Sequence, residues 1–224
     1  MNSLLAAFGR ATADQRFVLL LGTILLYLLW EFVLSFVGGG EIVQVTILSI
    51  LLLAAITCLR FKKQTFLTSR IFGVLVVALG WVRAATDILW LDRVDGFFRA
   101  VFLLMVTGAL IYQVARTERV SFGLIIGAIN GYLLLGIIGG TIVRIVDGIT
   151  PGAFRFDPQI HLGASKYLYF SYITLATVGY GDITPTIPAA QLVAVVLGVS
   201  GQLYIATIIA LLVGKYLSGK PVGD

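Results

Sequence analysis

The chain has 224 residues, of which 59% are hydrophobic and only 12% are charged, and its formal net charge is +5. This composition excludes a soluble domain, and we predict an all-α membrane protein with several crossings. The sequence has no Cys/His cluster, no nucleotide-binding glycine loop and no plausible catalytic constellation, so we expect no enzyme and no cofactor. The basic residues lie between apolar segments, which reflects membrane topology rather than a nucleic-acid partner.

Six apolar segments are long enough to cross a bilayer, for which a helix needs about 20 mostly apolar residues. They span residues 17–37, 42–59, 71–91, 97–115, 120–146 and 188–217. We predict that the first four form one domain, residues 1–116, and that the last two belong to a second domain, residues 117–224. The first segment is expected to be a retained helix, because it is longer than a signal-peptide core and no clear cleavage site follows it.

The charges of the predicted loops indicate the orientation of the chain. Lys and Arg concentrate in alternate loops and at both ends, at Arg10, Arg16, Arg60, Lys62, Lys63, Arg70, Arg116, Arg119, Lys215 and Lys220. Of the two short opposite loops, residues 38–41 carry no basic residue and residues 92–95 carry only Arg93. Because basic loops stay in the cytoplasm, we predict a multi-pass plasma-membrane protein with both termini inside.

Four charged side chains fall inside the predicted membrane segments of the first domain: Glu31, Arg83, Asp87 and Arg99. An unpaired charge facing lipid costs about 2.5–3.5 kcal/mol, so we expect the two positive and two negative groups to form an ion-pair cluster. A helix that moves charge through the membrane needs arginines at every third position. The positions that follow Arg99 at this spacing are uncharged: Phe102, Met105, Gly108 and Ile111. We therefore favour a structural cluster over a moving sensor.

A short aromatic segment, residues 165–176, precedes the hexapeptide Thr-Val-Gly-Tyr-Gly-Asp at residues 177–182, and a long apolar helix starts near Pro188. Helix, loop and helix in this order predict a re-entrant segment, since irregular backbone at membrane depth must be buried in protein or line a water-filled path. An isolated glycine-rich hexapeptide is also compatible with a surface turn, but these flanks favour the membrane interpretation. The hexapeptide resembles the selectivity filter of potassium channels, in which backbone oxygens replace the water shell of K⁺. This resemblance implies K⁺ binding at Thr177, Val178, Gly179 and Tyr180.

From about Val120 onward the chain resembles the pore domain of tetrameric potassium channels, most strongly over Tyr167 to Pro185, which read YLYFSYITLATVGYGDITP. With its four preceding helices it resembles the six-helix, prokaryotic-type members, without a charged fourth helix. The resemblance implies a homotetramer in a lipid bilayer that conducts K⁺ passively and with weak or no voltage dependence. It also implies that Gly181, Asp182, Tyr169 and Thr174 support the filter, with Asp182 bonded to Tyr169.

The last predicted helix carries two glycines, Gly198 and Gly201, for which two interpretations stay open. The resemblance implies a gating hinge, because the family commonly has a glycine at the position of Gly201. Close helix packing through small residues is the alternative. Further along, Ile205, Ile209 and Val213 repeat every four residues, and four copies of this stripe would form a gate that closes by dewetting.

Two other functions compete with a potassium channel. A potassium-transporter subunit is disfavoured, because such proteins resemble four fused pore loops with degenerate filters, and this chain has one complete loop. A non-conducting regulatory or assembly subunit of a potassium transport complex is the alternative from a different class.

Overall fold

The computed structural model describes residues 13–37, 40–59, 63–86, 88–117, 121–158 and 162–218. Within these ranges the chain forms seven helices and one two-stranded sheet. The elements are α1 (Ala13–Val37), α2 (Glu41–Cys58), α3 (Lys63–Ala85), α4 (Leu89–Arg116), α5 (Phe122–Ile149), β1 (Phe154–Phe156), α6 (Ser165–Leu175), β2 (Ile183–Pro185) and α7 (Pro188–Ser218). The protein is therefore all-helical apart from the small sheet. The end of the molecule that carries the sheet is called the outer end below, and the opposite end the inner end.

Helices α1 and α2 form an antiparallel pair that is tied at both ends. Near one end, Arg16 Nη1 donates to the carbonyl oxygen of Thr57 at 3.4 Å. Near the other, Gln44 Nε2 donates to Glu31 Oε1 at 2.6 Å. The helices are apolar on most faces, as expected for a bilayer, and their mutual contacts bury Leu20, Ile24, Leu51 and Leu52.

The boundary between α3 and α4 differs from the sequence prediction. The predicted crossing at residues 71–91 was wrong at its outer end, because α3 stops at Ala85 and α4 begins at Leu89. Residues 92–95, predicted to be a loop, lie in the first two turns of α4. An acidic residue in a first turn is stabilised by the helix dipole, and Asp92 occupies such a position. The charged residues at the start of α4 were therefore wrongly predicted to form a loop.

Among the described residues, five helices are long and apolar enough to span a membrane: α1, α2, α4, α5 and α7. Helix α3 is not among them, and it carries Lys63, Arg70 and Arg83. It nevertheless runs the length of the first domain. The inner ends of α2 and α4 meet where Gln113 Nε2 donates to the carbonyl oxygen of Cys58 at 2.9 Å. With its 23 residues, α3 covers about 34 Å between that end and the start of α4.

Helices α1 and α4 pack against α5 of the same chain. Only residues 117–121 separate α4 from α5, so the two helices form an antiparallel hairpin. From α1, the carbonyl oxygen of Phe17 accepts a hydrogen bond from the buried Asn130 Nδ2 of α5 at 2.8 Å. The carbonyl oxygen of Glu31 accepts a hydrogen bond from the hydroxyl of Ser165, the first residue of α6. The start of α6 is thus attached to α1.

A short antiparallel sheet, absent from the sequence prediction, closes the outer end. Its register pairs Phe154 with Pro185 and Phe156 with Ile183. Phe154 is buried, and its ring lies 5.2 Å from that of Phe170 in an edge-on contact. Three residues per strand give too short an alternation to predict from sequence. The sheet joins the segment before α6 to the segment after the filter.

Candidate ion-binding site

Helix α6, predicted to be the pore helix, packs in a groove of α5 that is formed by Gly136, Gly139 and Gly140 and is termed the glycine groove. A Cβ atom added at Gly140 would lie 3.0 Å from Leu168 Cα, and one added at Gly136 would overlap the ring of Tyr172. Sequence reasoning missed this groove, although several glycines at short spacing in an apolar helix are a known signal of close helix packing. Because the glycines of the groove have no side chains, the backbones of α5 and α6 can approach closely.

Hydrogen bonds from α6 fix its position in the glycine groove. Ser171 Oγ donates to the carbonyl oxygen of Gly136 at 2.7 Å, and Tyr172 OH donates to that of Leu133 at 2.6 Å. Closer to the outer end, Tyr167 OH donates to Asp147 Oδ2 at 2.9 Å. The aromatic residues of α6 therefore anchor the helix as well as filling space.

The backbone turns sharply at the end of α6, where residues 177–182, termed the filter segment, begin. The amides of Val178 and Gly179 both donate to the carbonyl oxygen of Ile173, at 2.8 and 3.2 Å. The amide of Thr177 donates to the carbonyl oxygen of Thr174 at 3.0 Å. Carbonyls at a helix C-terminus lack partners within the helix. Here they hold the first residues of the filter segment in place.

Backbone conformations alternate along the filter segment. Thr177, Gly179 and Gly181 have φ angles of 59°, 53° and 80°, whereas Val178 and Tyr180 do not have positive φ. In a regular strand, successive carbonyls point to opposite sides. When every second residue takes the left-handed conformation, successive carbonyls turn toward the same side. The alternation therefore suits a row of oxygens along one edge of the loop.

Thr177 is strained, because a β-branched residue with positive φ is a conformational outlier. Among the residues that the structure describes, it is the one non-glycine residue with positive φ. Such a conformation costs about 1–3 kcal/mol, and strain of this kind concentrates at functional sites. The surrounding hydrogen bonds to α6 maintain it.

The filter segment is open to the surroundings of the single chain. The side chains of Val178 and Tyr180 are 51% and 72% exposed. Within one chain, Tyr180 therefore has little protein to contact.

The outer end of the filter segment is held by Asp182. Its Oδ2 accepts a hydrogen bond from Tyr169 OH at 2.6 Å, the pair that the family resemblance implied. Its Oδ1 accepts from the amide of Ile183 at 3.0 Å, and its carbonyl oxygen accepts from the amide of Asp157 at 2.9 Å. Asp182 thus links the filter segment, the pore helix and the sheet.

Helix α7 is continuous from Pro188 to Ser218, without a break at either glycine. A Cβ atom added at Gly201 would overlap the carbonyl oxygen of Leu175, the last residue of α6, whereas the nearest atom to one at Gly198 is 3.9 Å away. Close packing therefore explains Gly201 in this conformation. The proposed gate residues Ile205, Ile209 and Val213 are 39%, 56% and 51% exposed.

The intramembrane charges form a network, but its partners differ from those expected. Asp95 Oδ2 lies 3.2 Å from Arg99 Nη1 and 3.7 Å from Arg83 Nε. Asp87, predicted as a member, lies outside the described residues. Glu31 contacts Gln44, and within the described ranges none of the ion pairs closer than 4 Å includes it. The expected pairing of Glu31 with these arginines is therefore corrected.

The network reaches the pore domain through Asp92. Its Oδ1 lies 3.6 Å from Arg83 Nη1 and accepts a hydrogen bond from Arg144 Nη2 of α5 at 2.7 Å. Next to it, Arg93 Nη2 donates to the carbonyl oxygen of Gly148 at 2.7 Å. The sequence contained a signal for Asp95, since it lies one helical turn before Arg99. This spacing was not recognised, because residues 92–95 were predicted to form a loop.

Comparisons with known proteins agree with this geometry. Residues 131–217, about two fifths of the chain, match the family model described as "Ion channel". The matched region contains most of α5, the pore helix, the filter segment and nearly all of α7. No match was found among curated proteins or among solved structures. The match supports an ion channel and not an enzyme, and with the apolar helices it indicates a multi-pass membrane protein.

Proposed function

We propose that this chain is the subunit of a homotetrameric potassium channel that conducts K⁺ passively down its electrochemical gradient. The alternating φ angles of residues 177–181 carry the proposal. Four such loops around one axis supply rings of carbonyl oxygens that replace the hydration shell of K⁺. Thr177, Val178, Gly179 and Tyr180 bind the ion. One chain has one loop, so the rings require four copies.

The distribution of burial supports an assembly around α7. In the membrane-spanning part of α7 only 17% of the residues are buried within the chain, compared with 67% in that of α5. The exposed surface of α7 includes Ile205, Ile209 and Val213. Gln202 of the same helix lies 3.5 Å from Thr177 of the filter segment. In the proposed tetramer this surface lines the inner pore and contacts neighbouring copies.

The first domain is proposed to be a structural attachment with weak or no voltage dependence. Its α3 is proposed as the sixth crossing, because it joins the inner end of α2 to the outer end of α4. Arg99 is 7% exposed and paired with Asp95, so it is held in place rather than free to move. We place the protein in the plasma membrane with both termini in the cytoplasm, as the loop charges favour.

The decisive experiment is a flux assay on purified protein in liposomes. With a K⁺ gradient we expect uptake that Ba²⁺ blocks and little permeability to Na⁺. A non-conducting subunit would give no uptake, and a channel without selectivity would pass both cations. Either result would refute the proposal.

A matched pair of glycine variants links the flux to the filter segment. Gly179→Ala places a Cβ on a residue with φ of 53°, a conformation that only glycine adopts easily, and should abolish K⁺ flux. Gly108→Ala lies in α4, where an added Cβ meets nothing within 4 Å, and should leave flux unchanged. Equal flux in the two variants would show that the filter segment is not the conduction path.

A further inference from the structure

Gln202 is a polar residue on the face of α7 that carries the proposed gate. It precedes Ile205, Ile209 and Val213 by three, seven and eleven residues, so all four lie on one helical face. Gln202 lies fourteen residues after Pro188, about 21 Å along α7 and near its midpoint. Its side chain is exposed in the chain. An amide facing hydrocarbon at that depth is costly, so the position suits a water-filled pore.

The same residue lies next to the inner end of the filter segment. Gln202 Nε2 is 3.5 Å from Thr177 Oγ1, a long hydrogen bond. The neighbouring Gly201 explains this proximity, because its missing side chain lets α7 lie directly against the carbonyl of Leu175. The contact of α7 with α6 therefore brings Gln202 to the filter.

We propose that Gln202 is a positioning residue for the innermost K⁺ site, acting through the hydroxyl of Thr177. A threonine hydroxyl has one hydrogen and two lone pairs, and it rotates freely unless a partner fixes it. Donation from Gln202 Nε2 occupies one lone pair and keeps the other directed toward the ion. This inference rests on the proposed channel function, since it assigns a role at the same filter.

Block by Ba²⁺ tests how well the oxygens of the filter segment are oriented. Ba²⁺ has nearly the radius of K⁺ and twice its charge, so it binds most tightly where oxygens are well oriented. Replacing Gln202 by leucine removes the donor and should weaken Ba²⁺ block about fivefold, the factor that a hydrogen bond of about 1 kcal/mol contributes. Block is measured as the Ba²⁺ concentration that halves the K⁺ flux of each variant, so a lower flux in the variant does not affect the comparison.

A shorter amide side chain at position 202 distinguishes a positioning role of Gln202 from the effect of a polar group in the pore. Gln202→Asn keeps an amide in the pore but ends one methylene short of Thr177. We expect it to weaken Ba²⁺ block like Gln202→Leu. A Gln202→Asn protein with the Ba²⁺ sensitivity of the parent would overturn the proposal, because pore polarity alone would then suffice. Unchanged block in both variants would overturn it as well.

Gln191→Leu is the matched control. Gln191 is an exposed glutamine of the same helix, three residues after its start and eleven residues before Gln202. It should retain the block of the parent. Size-exclusion chromatography should show tetramers for all variants. If neither Gln202 variant assembles, the proposal is also refuted, because it gives Gln202 no part in assembly. Absence of Ba²⁺-sensitive flux in the parent would instead refute the channel function.

Discussion

Replacing Asp95 by asparagine should destabilise the protein, because this carboxylate is the shared partner of two buried arginines. Asp95 is 2% exposed, and the side chains of Arg83 and Arg99 are 13% and 9% exposed. The variant keeps the side-chain shape but removes the negative charge. Breaking a buried ion pair by removing one partner costs about 3–5 kcal/mol, and a lone arginine inside a bilayer costs about 2.5–3.5 kcal/mol.

For Asp95 we expect a cost at the lower end of the range of about 3–5 kcal/mol. Asp95 is the seventh residue of α4, about 9 Å from the outer end of the helix, and Asp92 continues to neutralise Arg83. We therefore expect a loss of about 3 kcal/mol per subunit. For a chain of this length that corresponds to a fall in apparent melting temperature of about 6–12 °C.

Thermal unfolding of the purified protein in detergent provides the assay. Glu41→Gln is the control, since Glu41 is exposed in the first turn of α2, and it should change stability by less than about 1 kcal/mol. The double variant Asp95→Asn/Arg99→Gln should recover part of the loss, because the unpaired charge is also removed. An Asp95→Asn protein that melts with the parent would refute a structural role for the network.

Two further predictions concern the filter and its support. Tyr169→Phe removes the hydrogen bond to Asp182, which is worth about 1.5–3 kcal/mol with a charged acceptor, so currents should decay faster during sustained conduction. Recordings that match the parent would contradict this role of Tyr169. Gly140→Ala forces α6 away from α5, because its Cβ would crowd Leu168, and the tetramer yield on size-exclusion chromatography should fall. Gly108→Ala, in open space, should assemble normally, and a normal yield for Gly140→Ala would show that the glycine groove is not required.

The irregular backbone of the filter segment was predictable from sequence because it depends on local residues, whereas its role as an ion filter stays a prediction. The hexapeptide at residues 177–182 needs glycines for its backbone and carbonyls for its ligands, and both are visible in the residue order. The strain at Thr177 was not predictable from composition, since threonine ordinarily avoids positive φ. It arises from the hydrogen bonds that the carbonyls of α6 impose on the following residues.

Features that depend on tertiary contact were harder to predict. The hydropathy of the sequence placed Asp92 and Asp95 in a loop. Hydropathy treats every charged residue as unfavourable in a membrane helix, whether or not an oppositely charged residue lies nearby. Arg144, on another helix, supplies part of the compensation. For the same reason, the sequence did not indicate a role for Gln202. A search for an apolar stripe on α7 selected Ile205 and Ile209 and passed over the polar residue on the same face.

The reversal potential of purified protein in a planar bilayer tests the central claim most directly. With K⁺ on one side and Na⁺ on the other, oxygens from four copies of residues 177–180 should discriminate strongly between the ions. We predict a reversal potential that follows the K⁺ gradient in the parent protein. A reversal potential near zero under these conditions, or no current at all from the assembled protein, would contradict the account.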